Sequence, residues 1–77
     1  MTGEDRRALA EQILNNALMA EIMGKLEKEA VDRCVYAPMA DHEARQAAAA
    51  EVRAIRSFRQ NCEALLRNNP PRKAAPA

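Results

Sequence analysis

The sequence predicts an all-α fold: an antiparallel helical hairpin with a short additional N-terminal helix or helix extension. Three observations carry this. Apolar residues recur at helical spacing through two long stretches, residues 17–36 and 41–69. Pro38 stands between them and biases Ala37 away from helical geometry, which ends the first arm. Nothing in the chain has the pattern of a strand. A link of about five residues then makes the two arms antiparallel neighbours.

The elements follow in order. Residues 1–3 are expected to form a flexible N-terminus. Glu4 and Asp5 place two acids near the positive end of a first helix, residues 4–15, whose apolar side is Leu9, Ile13 and Leu14. Asn15-Asn16 is the first punctuation. Asn16 either caps a new helix beginning at Ala17 or belongs to a continuous helix with a solvated Asn pair. From 17 to 36, Leu18, Ile22 and Leu26 recur at four-residue steps, and Met19, Met23, Ala30 and Cys34 widen that face. Asp41 is a good N-cap, and Glu43 adds an acid to the first turn of the third helix, residues 41–69. Its apolar seam includes Val52, Ile55, Cys62 and Leu66, with Phe58 and Leu65 on its flank. Asn68-Asn69-Pro70-Pro71 is a firm stop. Residues 4–69 thus read as a single hairpin domain and 70–77 as a flexible Pro-rich tail. With the turn centred between residues 38 and 39, Glu51 comes level with Leu26, and Ile55 with Ile22.

The predicted core seam is therefore Leu18, Ile22, Leu26, Val52, Ile55, Phe58, Cys62 and Leu66. It is thin. The chain has 77 residues with one Phe, one Tyr and no Trp, and chains near this size bury only about 60% of their unfolded surface. Two helices enclose little volume, so the expected partner is a second copy of the chain or a larger structural protein.

Charge points the same way. The formal net charge is +1, too close to neutral to imply nucleic acid by itself. Residues 1–36 hold seven acids and five bases, whereas residues 37–77 hold four acids and seven bases. That modest asymmetry suits antiparallel packing or head-to-tail association as readily as DNA. Arg45, Arg56, Arg59 and Arg67 share one sector of the third helix, with Arg53 at its edge. This stripe is a candidate interaction surface for an acidic protein or for phosphate, or else a solvated face covering Ala-rich surface. Glu51 falls within the apolar arc and needs a partner, with Lys25 the intrachain candidate and another subunit the alternative. Gly24 is either a surface glycine or a point of close approach by another chain. Glu51 and Gly24 are thus candidates for assembly specificity.

Catalysis has little to stand on. His42 is the lone histidine, and a metal site needs more convergent ligands. Cys34 and Cys62 lie 28 positions apart with no second pair, which is neither a disulfide framework nor zinc spacing; both read as small buried thiols. The charged start MTGEDRRALAEQ is no signal peptide, and no apolar window approaches the about 18 residues of a membrane span. No enzyme activity, cofactor, metal or membrane is expected.

Several stretches carry a resemblance: Ile13-Leu-Asn-Asn-Ala-Leu with Ala20-Glu21, Leu26-Glu27-Lys28-Glu29, and after the turn Asp41, Glu43-Ala-Arg45, Val52-Arg53-Ala54-Ile55-Arg56 and Leu65-Leu66. Over residues 13–67 the chain resembles a group of small uncharacterised tailed-phage proteins encoded among head-morphogenesis genes. Members often show Asn-Pro where Asn16-Ala17 stands here, and bulky residues in place of Ala47 to Ala50. The resemblance implies a non-enzymatic structural or virion-assembly role exercised through protein–protein contacts, in the virion or the host cytoplasm. The alternative is a small DNA-binding or regulatory helical protein.

Overall fold

A computed structural model describes residues 1–69, and the predicted tail at 70–77 lies outside the described residues. Three helices account for it: α1 (Gly3–Leu14), α2 (Ala17–Val35) and α3 (His42–Asn68). Among the described residues there is no strand. The two long helices pack side by side as a hairpin, while α1 packs chiefly on α3 and touches α2 little.

Each helix begins at a side-chain cap. The Thr2 hydroxyl accepts from the Asp5 amide and the Asp5 carboxylate accepts from the Thr2 amide, both at 3.1 Å. This reciprocal capping box satisfies two orphan donors at once. It draws Thr2 and Gly3 into the helix start, so α1 begins one residue before the expected position 4. At the first break the capped alternative holds. Asn16 is extended (φ −77°, ψ 111°), and its carboxamide oxygen accepts from the Met19 amide at 2.9 Å. Asp41 caps α3 through a 3.0 Å bond from the Ala44 amide.

The register differs by nearly two turns from the symmetrical expectation, with Glu51 meeting residue 33 where residue 26 was expected. Arg45 donates to the carbonyls of Ala37 and Pro38, at 3.4 and 3.1 Å. Residue 45 is thereby level with 37–38, and residues 39–44, including the first turn of α3, overhang the end of α2. In consequence Glu51 meets Arg33, rather than lying level with Leu26 and pairing with Lys25. Ile55 lines a shallow groove with Leu26 rather than facing Ile22.

The core is built from small residues. Ala10, Ala30, Ala48, Val52 and Cys62 are buried, and among the described residues no large side chain is fully enclosed. Ile55 and Leu66 are half-buried. Four members of the predicted seam are not core: Leu18 is 62% exposed, Ile22 47%, Leu26 48% and Phe58 44%. For the three on α2 the cause is the rotation of that helix. Its inner line is Met23, Glu27, Ala30, Val31 and Cys34, spaced so that the Leu18–Ile22–Leu26 ridge turns to one side. Alanines at the contact let the helix axes approach closely, and a two-helix contact covers only a narrow strip of each cylinder.

Candidate interaction surface

Charged contacts across the hairpin are concentrated at two places. Glu27 stands on the inner line of α2, four positions after Met23 and four before Val31. Its carboxylate accepts from the Arg59 guanidinium at 3.0 Å and lies 3.8 Å from the Arg56 Nε. The Glu27 side chain is 23% exposed, so this node is partly screened from water. Nearer the turn, Arg33 donates to Glu51, with both side chains more than half exposed.

The arginine stripe is thereby divided. Arg56 and Arg59 are directed at Glu27, and Arg45 is directed at the loop carbonyls, with a further 3.4 Å contact to the His42 ring. Arg53 and Arg67 are exposed and have no ion-pair partner among the described residues. Three of the five predicted interaction residues therefore serve the hairpin itself. Glu51 belongs to an intrachain pair at the surface. Gly24 is exposed, and a Cβ built on it would meet open space.

Sequence reasoning missed Glu27. The available signal was its place midway between Met23 and Val31 on one helical face, with Arg59 lying between Ile55 and Cys62 on the facing helix. It also missed the capping box, for which Thr2 followed three positions later by Asp5 was the cue.

Large apolar side chains remain exposed beside this small core. Leu18, Ile22 and Leu26 form one ridge, and Met19 and Phe58 extend it into the groove between the helices. Among the described residues, no group of three or more His, Cys, Asp or Glu side chains is placed to hold a metal ion, and no helix is long and apolar enough to cross a membrane. Both cysteines are free, Cys62 buried and Cys34 half-buried. Compared with known proteins, the chain matches no family model, no curated protein and no solved structure.

Proposed function

We propose that this protein is a non-enzymatic assembly protein that works through protein–protein contacts. The observation that carries this is the open ridge on α2. Leu18, Ile22 and Leu26 are each close to half exposed or more, while the enclosed core consists of three alanines, a valine and a cysteine. A contiguous exposed apolar surface rimmed by charge is the mark of a protein-binding face. The resemblance to small tailed-phage proteins encoded among head-morphogenesis genes supports such a role, with the virion or the host cytoplasm as its proposed setting.

The arrangement of arginines favours this over DNA binding. A phosphate-binding stripe needs free guanidinium groups, and here Arg45, Arg56 and Arg59 are engaged within the chain. Titration of a labelled DNA duplex, followed by fluorescence anisotropy at low and moderate salt, tests the choice. No binding at micromolar protein is expected. Binding that falls steeply with salt would overturn the proposal in favour of the DNA-binding alternative.

A further inference from the structure

We infer, resting on that protein-contact reading, that the partner of the α2 ridge is a second copy of this chain, packed across a two-fold axis near Ile22. Two properties of the ridge point to a self-complementary contact. The first is its shape. Leu18, Ile22 and Leu26 stand at four-residue steps, and interdigitation of two such ridges is the commonest mode of helix packing. The ridge is symmetrical about Ile22, so reversing the chain direction sets Leu18 against the partner's Leu26 and Ile22 against the partner's Ile22.

The second property is charge. Glu21 and Lys25 flank the same side of the ridge, one turn apart, and both are exposed. Neither forms an ion pair among the described residues. Their midpoint falls at residue 23, next to the midpoint of the ridge. A two-fold axis there brings Glu21 of each copy opposite Lys25 of the other, twice. An isologous interface requires this kind of self-complementarity; a face meeting an unrelated partner does not.

Area is consistent with the same occupant. Leu18, Met19, Ile22, Leu26 and Phe58 together expose on the order of 500 Å², near the upper end for the largest apolar patch of a monomer. The aliphatic stems of Glu21 and Lys25 bring the face toward the about 800 Å² per partner of a standard specific interface. Occupied in this way, the two hairpins join through their α2 helices into an assembly in which the ridge becomes core.

Sedimentation equilibrium of the full chain at about 100 µM, a concentration suited to a micromolar dissociation constant, tests the inference. The wild type should show twice the 8.5 kDa chain mass. Ile22→Lys should be monomeric. Because that change could also unfold the hairpin, two surface variants keep the test decisive. Glu21→Lys gives a flank with only positive charge and Lys25→Glu one with only negative charge. Each alone should dissociate at least about tenfold more readily, a loss of roughly 1.4 kcal/mol, with helicity by circular dichroism unchanged. An equimolar mixture of the two should recover the double mass. A monomeric wild type, or charge variants that dimerise like the wild type, would overturn the second copy as partner. In that event, absence of duplex binding leaves the protein-contact reading in place, whereas salt-sensitive duplex binding removes the reading itself.

Discussion

Glu27 and Glu51 are both acids on or beside the hairpin seam, and both face arginines, yet their surroundings differ. Glu27 has a side chain 23% exposed and receives a 3.0 Å bond from Arg59, with Arg56 beyond it. Removing it leaves two guanidinium groups facing the seam without their acceptor. Glu51 and Arg33 are 55% and 54% exposed, so water screens their attraction and solvates either one alone. Glu27→Ala is accordingly expected to cost about 1 kcal/mol in urea denaturation, a charged hydrogen bond discounted for its partial exposure. Glu51→Ala should cost less than about 0.5 kcal/mol. Equal losses would mean that burial does not distinguish the two pairs. Glu51 stands out in the sequence because its angle sets it within the apolar arc. Glu27 does not stand out in the same way, because it sits in a run of charges with Lys28 and Glu29.

At the scale of elements, the first arm of the hairpin is two helices because Asn16 competes with the backbone for hydrogen bonds and captures the Met19 amide. Asn16→Ala removes that acceptor and should destabilise the chain by about 1 kcal/mol, whereas Asn16→Asp should retain most of the stability. Equal behaviour of the two in thermal unfolding would reject the capping role. Gly24 is the second weak point of α2. It lies two positions from Ile22, on the opposite side of the helix from the ridge, with open space where a Cβ would stand. Gly24→Ala should therefore stabilise the protein by about 0.5–1 kcal/mol, without altering the oligomeric mass. A loss of stability or of mass would show that another chain approaches this glycine closely.

For the whole molecule, the decisive feature is the imbalance between what is enclosed and what is left open. Among the described residues, three of the five that are buried are alanines, which permit close helix contact but remove little apolar area from water. The residues able to contribute more, Leu18, Ile22, Leu26 and Phe58, keep close to half or more of their surface exposed. If a second copy covers them, stability and association are linked, and the unfolding midpoint must rise with protein concentration. Thermal melts over a hundredfold range of concentration should show that rise in the wild type and lose it in Ile22→Lys. A midpoint independent of concentration in the wild type would mean that the hairpin is stable by itself.

The sequence by itself determined the helices. Pro38 and the cap Asp41 set the limits of the two arms through local backbone chemistry, and the spacing of apolar residues showed that two long helices share a side; at Asn16 the sequence left a cap and a continuous helix open, and the bond to the Met19 amide decided it. These are short-range effects, carried within a few residues, and so they are legible along the chain. Tertiary structure alone decided how the helices are rotated and how they slide. Arg45 bonding to Ala37 and Pro38 goes with a slide of α3 by nearly two turns, and the alanine contact turns the Leu18–Ile22–Leu26 ridge outward. An apolar stripe wider than one helix contact does not reveal which part faces inward; that depends on the shape of the partner helix. The same rotation brought Arg56 and Arg59 to Glu27 and left the ridge as the surface on which the proposed function rests.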